Sequence, residues 1–263
     1  MTLENKKEIT LLLKTFVEGF SSQKAAANQL NDVSEATIIN ILKNNWNGVS
    51  DAMWINIGKQ VGWNQRRSKL VETMDFNTLI LYYSTAKEHG EAFALVGGPG
   101  SGKSYTGQWY AEQMRKQNVY YLECAEYWNK KYFLQELLKE MGFDAAGMNV
   151  YEMMDEVITR LRKQHQPLII MDEVDKLKDE VLYFFITLYN KLHGMCGFVW
   201  TSTDHIARRI EKGVNKNKKG FKEIKSRIGN KFIQLRGTNR QEIAQICQAN
   251  GIVDELDINT IYN

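Results

Sequence analysis

The sequence predicts an α/β fold in which a doubly wound parallel sheet, covered by helices on both faces, is preceded by a small all-helical domain. Three observations support this prediction. A glycine-rich loop joins an apolar segment to a segment that can continue as a helix. A second apolar segment ends in two acids. Short apolar runs of strand length alternate with amphipathic runs of helix length through most of the chain, which is typical of a parallel sheet with crossover helices.

The glycine-rich loop follows the apolar segment 92–96 and matches the pattern G-x-x-x-x-G-K-[ST], the phosphate-binding loop. Its glycines let the backbone curl so that successive N–H groups face a phosphate, and the next helix adds the positive end of its dipole. Lys103 can reach the β- and γ-phosphates, and the Ser104 hydroxyl can ligate Mg²⁺. The predicted nucleotide-binding residues are Gly97, Gly98, Pro99, Gly100, Ser101, Gly102, Lys103, Ser104 and Tyr105.

The second motif is the apolar run 167–171, which is followed directly by Asp172 and Glu173. It reads as a buried parallel strand with carboxylates at its C-terminal end, where ligands of open α/β sheets bind. Asp172 would hold Mg²⁺, directly or through water, together with Ser104, and Glu173 would polarise the attacking water. The two motifs therefore predict ATP and Mg²⁺ as cofactors and ATP hydrolysis as the reaction, with Lys103 and Glu173 as catalytic residues.

Composition limits the class of protein. The chain has 263 residues, 43% of them hydrophobic and 25% charged, which is ordinary for a soluble protein long enough for two domains. It contains no apolar run of membrane-spanning length, and its N-terminus lacks the apolar core of a signal peptide. The three cysteines lack metal-ligand spacing and read as reduced thiols. We expect a cytoplasmic protein without a membrane partner.

Positive charge is concentrated in one segment. Residues 205–236 hold eleven Lys or Arg against two Glu, a net charge of +9, whereas the remainder holds 23 bases and 29 acids, a net charge of −6. The central part, 212–220, mixes lysine with glycine and asparagine and reads as a mobile loop. A solvated loop and a contact with double-stranded DNA are the two interpretations, and we favour DNA. The candidate DNA-binding residues are Lys212, Lys216, Lys218, Lys219, Lys222 and Lys225.

Residues 1–62 form the predicted all-helical domain. Ser22, Ser34 and Ser50 stand where N-caps of three helices are expected. A short helix, a turn at 31–33 and a Ser-capped helix resemble a helix-turn-helix. Six bases and six acids make this domain neutral, so it gains little from counterion release, and DNA or protein can be its partner. The side chains expected to be exposed on or near the recognition helix are Glu35, Thr37, Asn40, Lys43 and Asn44.

The remaining boundaries follow from the alternation of patterns. We expect a linker over 63–75, containing Arg66, Arg67 and Lys69, an ATPase core over 76–236, and a partial or minimal helical lid over 237–263. The predicted strands are 92–96, 119–122, 167–171, 197–201 and 232–235. The predicted helices of the core are 76–89, 105–117, 131–141, 150–163 and 180–192.

Two further motifs carry a family resemblance. A strand with a polar end, Thr201-Ser202-Thr203, resembles the additional-strand class of phosphate-loop ATPases, in which a polar side chain senses the γ-phosphate. Thr203 is the favoured sensor, with Thr201 and Ser202 as alternatives. The segment 224–229 resembles the Ser-Arg box of AAA+ ATPases, which implies that Arg227 is an arginine finger reaching a neighbouring subunit's nucleotide. Arg208 and Arg209 are alternative fingers, and Arg227 could instead pair on the surface or bind DNA.

The order and size of the domains resemble the B-type DNA-transposition ATPases of phage Mu and, more loosely, IstB-type insertion-sequence helpers and bacterial helicase loaders. This resemblance implies ATP-dependent, largely sequence-nonspecific DNA binding, homo-oligomers such as rings or helical filaments, and delivery of target DNA to a transposase. A replicative helicase loader and an ATP-switched helix-turn-helix transcription regulator are the alternatives, with a small-molecule kinase a distant third. The short lid is a departure from the family and implies a minimal lid or a truncated chain. Arg236 and Arg240 are weak candidates for a second sensor.

Overall fold

The structure is a computed structural model that describes residues 1, 3–20, 22–63, 70–229 and 232–262. It contains two compact units, Met1–Lys69 and Leu70–Asn263. The basic residues of the predicted linker, Arg66, Arg67 and Lys69, lie outside the described residues. Within the described part of the chain, no helix combines the length and the apolar character needed to cross a membrane.

The first unit consists of four helices, which are α1 (Leu3–Glu18), α2 (Gln23–Ala27), α3 (Glu35–Leu42) and α4 (Asp51–Gln60). The last three helices are capped by Ser22, Ser34 and Ser50. Each of these hydroxyls accepts a hydrogen bond from the backbone N–H three residues later in the chain, at 3.1–3.2 Å. The predicted helix starts are confirmed, although α2 ends at Ala27 instead of near residue 30. The core of the unit is apolar and includes Ile9, Leu13, Ile38, Ile41, Trp54 and Ile57.

The exposed side of α3 is close to the expected one. Glu35, Asn40, Lys43 and Asn44 are exposed, whereas Thr37 is half-buried, and its hydroxyl lies 2.8 Å from the Ser34 hydroxyl at the cap. The pattern of polar positions therefore identifies the outer side of the helix.

The second unit is built on a five-stranded parallel sheet with the order β2-β3-β4-β1-β5. This confirms the predicted parallel α/β sheet. The fourth strand lies between β1 and β3, so an additional strand separates the strand before the glycine-rich loop from the strand that ends in Asp172. The strands are β1 (Ala92–Val96), β2 (Val119–Glu123), β3 (Leu168–Asp172), β4 (Gly197–Ser202) and β5 (Phe232–Gln234).

Helices cover both faces of this sheet. One face packs against α5 (Met74–His89) and α6 (Lys103–Gln113). The other packs against α7 (Lys130–Glu140), α8 (Val150–Arg162), α9 (Asp179–Leu192), α10 (Asp204–Asn215) and α11 (Phe221–Arg227). A short 3₁₀ turn, Val174–Lys176, joins β3 to α9, and two helices follow β5, α12 (Arg240–Ala249) and α13 (Glu255–Tyr262). The carboxyl ends of the parallel strands therefore meet at one edge of the sheet.

The basic segment differs from the prediction of a mobile loop over 212–220. Residues 212–215 belong to α10, and only 216–220 connect it to α11. Lys212 therefore lies on a helix, and so do Lys222 and Lys225. Gly213 is buried, and a Cβ built on it would lie 2.4 Å from the Phe221 ring. The glycine that suggested a loop is instead a place where two helices pack closely.

Candidate nucleotide-binding site

The glycine-rich loop joins β1 to the N-terminus of α6. Gly100 and Gly102 have φ angles of 80° and 77°, a left-handed region in which side chains other than glycine are strained. Gly102 is the N-cap of α6, so the unpaired N–H groups of the first helical turn lie at the loop. A Cβ built on Gly98 would have nothing within 4 Å, so the space beside the loop is open there. Such a loop suits an anion held by backbone N–H groups.

Lys103 is the first residue of α6, and its side chain lies across the loop. Its ammonium donates to the carbonyls of Gly97 at 2.8 Å and Gly98 at 2.9 Å and to the Ser101 hydroxyl at 2.9 Å. Burial lowers the pKa of Lys103, and the charges of Asp172 and Asp175 oppose that shift. The strand before the loop, β1, and the strand that ends in Asp172, β3, both pair with β4, so the fold brings the loop and the acid motif to the same edge of the sheet.

Asp172 ends β3 and is fully buried. Its Oδ1 accepts the Thr201 hydroxyl at 2.6 Å and the backbone N–H of Glu173 at 2.9 Å, and its Oδ2 accepts the Tyr121 hydroxyl at 2.9 Å. Both oxygens therefore have donors, as a buried carboxylate requires. Ser104, the other predicted Mg²⁺ ligand, is exposed in the first turn of α6. Carboxylate and hydroxyl oxygens are hard ligands, so this pair fits Mg²⁺.

Tyr121 was not predicted from the sequence. It lies on β2, where alternate side chains point to the face that carries α6. Burial raises the pKa of Tyr121, and the adjacent Asp172 raises it further, so its hydroxyl stays protonated and remains a donor. The polar hydroxyl of a tyrosine on a mostly apolar strand is the signal that could have identified it.

Glu173 follows directly after β3 and has a φ angle of 54°, which is uncommon for a residue with a side chain. Its carboxylate accepts the Lys176 ammonium at 2.5 Å across the 3₁₀ turn, and both side chains are about one-third exposed. This hydrogen bond raises the pKa of Lys176. The predicted base thus follows Asp172, the predicted Mg²⁺ ligand, in a partly solvated position.

The polar end of β4 forms a hydrogen-bond network with Asp175, a residue that the sequence interpretation missed. The Ser202 hydroxyl donates to Asp175 Oδ1 at 2.5 Å, and the Thr203 hydroxyl donates to Oδ2 at 3.0 Å. Thr203 also caps α10, whereas Thr201 contacts Asp172. Thr201 therefore contacts the acid at the end of β3, whereas Ser202 and Thr203 contact the acid in the 3₁₀ turn that follows. A third acid, two residues beyond Glu173, was the available signal.

The candidate arginines have different surroundings. Arg209 binds Asp179 and donates to the carbonyls of Asp175 at 3.1 Å and Leu177 at 2.7 Å, so its guanidinium supports the turn after β3. Arg227 donates to the Asn190 side chain at 3.0 Å and lies over the Tyr189 ring at 5.6 Å. Arg208 is exposed.

The two candidates for a second sensor, Arg236 and Arg240, contact parts of the second unit outside the glycine-rich loop. Arg236 contacts the Met74 sulfur at 3.4 Å, and Arg240 donates to Asn259 at 2.7 Å. These contacts join residues after β5 to α5 and α13.

The candidate lysines of the basic segment differ in whether an acidic side chain lies beside them. Lys218 forms an ion pair with Asp179, and Lys225 lies 3.7 Å from Glu211. Among the described residues, the other candidate lysines form no ion pair with an acid. This second group is Lys212, Lys216, Lys219 and Lys222. The structure therefore places four lysines that pair with none of the described acids on α10, α11 and their connection.

One known protein family matches the middle part of the chain. Residues 86–210, just under half of the chain, match the model of the AAA domain family. This range includes the glycine-rich loop and the acid motif, so the match agrees with nucleotide binding by this part of the chain. No curated protein matches the sequence.

Solved structures resemble the chain at low sequence identity. The Drosophila origin recognition complex bound to DNA is 13% identical, with a TM-score of 0.45, covering 72% of this chain and 48% of that chain. A structure of the Drosophila complex bound to AT-rich DNA and Cdc6 is 12% identical, with a TM-score of 0.44, covering 66% and 30%. NtrX from Brucella abortus in complex with ATP is 14% identical, with a TM-score of 0.44, covering 85% and 52%. The chain thus spans about half or less of these structures.

Proposed function

We propose that this protein is an Mg²⁺-dependent ATPase that binds double-stranded DNA largely without sequence preference, assembles into homo-oligomers on it and delivers it as target DNA to a transposase. The observation that carries the ATPase proposal is the sheet topology. The strand before the glycine-rich loop, β1, and the strand that ends in Asp172 just before Glu173, β3, both pair with β4 in parallel, so the loop and the two acids lie at the same carboxyl edge. Bound Mg²⁺ would neutralise phosphate charge during hydrolysis.

Each residue of the site has a role in this proposal. Backbone N–H groups at the start of α6 would hold the phosphates, and the Lys103 ammonium would turn from the loop carbonyls toward them. Ser104 and Asp172 would hold Mg²⁺. Glu173 would orient and deprotonate the attacking water, and the hydrogen bond that its Oε2 accepts from Lys176 would lower its basicity.

The polar end of β4 supports a sensor role for Thr203. Its hydroxyl reaches Asp175, which shares the turn that begins at Glu173, so a change at the γ-phosphate would be passed to α10 through Thr203 at the cap. Thr201 and Ser202 stay as alternatives because both contact acids of the same motif.

Arg227 is the proposed finger toward a neighbouring subunit. Its contacts with Asn190 and Tyr189 are on the part-exposed surface of α9, so they can be exchanged for a nucleotide phosphate at modest cost. Arg209 is the weaker alternative because replacing its contacts with Asp179 and two carbonyls would disrupt the turn after β3.

The DNA proposal is supported by the net charge of +9 over residues 205–236 and by four lysines that have no acidic partner in the described part of the chain. Side chains that contact phosphates position a protein on DNA without reading its sequence. ATP at the loop would close the interface between subunits, and closure would align the basic segments along the DNA backbone.

Binding and hydrolysis with purified protein test the proposal. We expect ATP hydrolysis that needs Mg²⁺, is stimulated by double-stranded DNA and is abolished in Glu173→Gln, which retains ATP binding. Lys103→Ala should lose both binding and hydrolysis. Hydrolysis stimulated only by a helicase would favour a helicase loader, and one tightly bound operator sequence would favour a transcription regulator.

Electron microscopy with double-stranded DNA tests the assembly. We expect oligomers or filaments on DNA with ATP and few with ADP. A protein that stays monomeric and binds DNA equally well with and without nucleotide would contradict the proposal.

A further inference from the structure

Tyr121 connects the helix after the glycine-rich loop with the acid motif. Its hydroxyl donates to Asp172 Oδ2 at 2.9 Å, from the strand on one side of β3. The Thr201 hydroxyl donates to Oδ1 at 2.6 Å, from the strand on the other side. The carboxylate is therefore held between two side-chain donors on neighbouring strands, which fixes the direction in which its remaining lone pairs point.

The ring of Tyr121 contacts α6 at Gly107. A Cβ built on Gly107 would lie 2.7 Å from Tyr121 Cε2 and 3.1 Å from Cδ2, so the ring occupies the space that a side chain would need. Gly107 is buried and lies three residues after Ser104, almost one helical turn along α6. The approach of α6 to the sheet is therefore set by the thickness of this ring.

We infer that Tyr121 is a positioning residue for the magnesium site. It sets the orientation of Asp172 and the distance between that carboxylate and the helix that carries Ser104. This inference rests on the proposed function, because that proposal assigns Asp172 and Ser104 to Mg²⁺. Neighbours that orient a metal ligand typically change metal affinity 10- to 100-fold when they are lost.

The ring and the hydroxyl can be separated by substitution. Tyr121→Phe keeps the contact with Gly107 and removes the donor to Asp172. Tyr110→Phe is a matched control, since Tyr110 belongs to the same apolar cluster and its hydroxyl lies 3.3 Å from the Ser84 hydroxyl. Asp172→Asn shows how much the response to Mg²⁺ changes when the carboxylate itself is lost.

The experiment measures binding of a fluorescent ATP analogue to the full chain, first in EDTA and then as Mg²⁺ is added. We expect Tyr121→Phe to bind the analogue in EDTA within about twofold of wild type, whereas its half-maximal Mg²⁺ concentration rises about tenfold or more. Tyr110→Phe should match wild type in both measurements. Circular dichroism melting of each variant checks that the fold is retained.

Two results overturn different claims. If Tyr121→Phe responds to Mg²⁺ as wild type does, while Asp172→Asn does not respond, the positioning role is wrong and the proposed function stands. If wild-type protein binds no analogue with or without Mg²⁺, the proposed function is wrong, and the inference falls with it.

Discussion

The Lys176 ammonium lies 2.5 Å from the Glu173 carboxylate, so the proposed base is paired with a cation of its own turn. Both side chains are about one-third exposed, and a pair of this kind contributes at most about 1 kcal/mol. Removing the cation should release Glu173 to face water. We expect Lys176→Met to raise the ATP hydrolysis rate at saturating ATP, by no more than about fivefold, because 1.36 kcal/mol corresponds to a tenfold change in rate.

Lys178→Met is the control for this experiment. Lys178 is exposed two residues farther along, so its loss changes the net charge equally without touching Glu173. Its hydrolysis rate should match wild type. A lower rate in Lys176→Met would show that the pair holds Glu173 in its productive position.

The first and second glycines of the loop should differ in tolerance to alanine. A Cβ on Gly97 would lie 2.9 Å from the Leu235 Cβ and 3.2 Å from the Ser101 hydroxyl, whereas one on Gly98 would meet nothing within 4 Å. We expect Gly97→Ala to lower the free energy of unfolding by about 1–3 kcal/mol, the usual cost of overpacking. Gly98→Ala should stay within about 0.5 kcal/mol of wild type. Urea unfolding monitored by tryptophan fluorescence measures both, and equal losses would contradict the packing explanation.

The lysines of the basic segment should contribute unequally to DNA binding. Lys218 and Lys225 already have acidic partners, whereas the other four candidates have none among the described residues, namely Lys212, Lys216, Lys219 and Lys222. We therefore expect glutamine at any of these four to weaken binding more than glutamine at Lys218 or Lys225. Four phosphate contacts per protomer predict a slope of about −3 to −4 for log affinity against log salt. Fluorescence anisotropy with labelled DNA measures both quantities, and a slope near zero would rule out the lysine contacts.

The sheet was largely predictable because its signals are local. Apolar runs of strand length gave all five strands to within about two residues, and the serine caps gave the helix starts of the first unit. The basic segment was not predictable in the same way. Its glycine and asparagine residues suggested a loop, whereas Gly213 lies within α10 against the Phe221 ring of α11, a contact that depends on how the two helices pack.

The site shows a similar division. The loop and the two acids of β3 follow from short motifs, but Tyr121 and Asp175 depend on which strands and turns become neighbours. Hydrogen bonds across strands join residues about 30 to 50 positions apart in the chain, and no local pattern specifies them. The residues that contact a motif can therefore be predicted only once the order of the strands in the sheet is known.

Two buried cysteines give a test of packing that does not involve nucleotide. Burial raises the pKa of Cys124 and Cys196, so neither thiol forms the reactive thiolate near neutral pH. We expect neither to react with a thiol reagent at pH 8 in folded protein and both to react in urea. Mass spectrometry of digested, labelled protein identifies the modified residue. Rapid labelling of Cys196 without urea would show that the residue directly before β4 is not buried in solution.

Asp75 should link the chain after β5 to the start of α5. Its carboxylate is buried and accepts the backbone N–H of Arg236 at 2.9 Å and of Gly237 at 2.8 Å. In Asp75→Asn one oxygen becomes an NH₂ group facing an N–H donor, so one buried hydrogen bond is lost and two donors oppose each other. We expect a loss of about 1–3 kcal/mol in the free energy of unfolding, the usual cost of an unsatisfied buried group.

Hydrogen exchange distinguishes a local loss of the Asp75 hydrogen bonds from a general loss of stability. The amides of Arg236 and Gly237 should exchange faster in Asp75→Asn under native conditions. The amides of β3 should slow or speed up only as much as the change in the global free energy of unfolding predicts. Asp155→Asn is the matched control, since that carboxylate is exposed on α8, and it should change neither measurement. Unchanged exchange at Arg236 and Gly237 would mean that other contacts, such as the one between Glu242 and the Met74 N–H at 2.7 Å, hold this segment without Asp75.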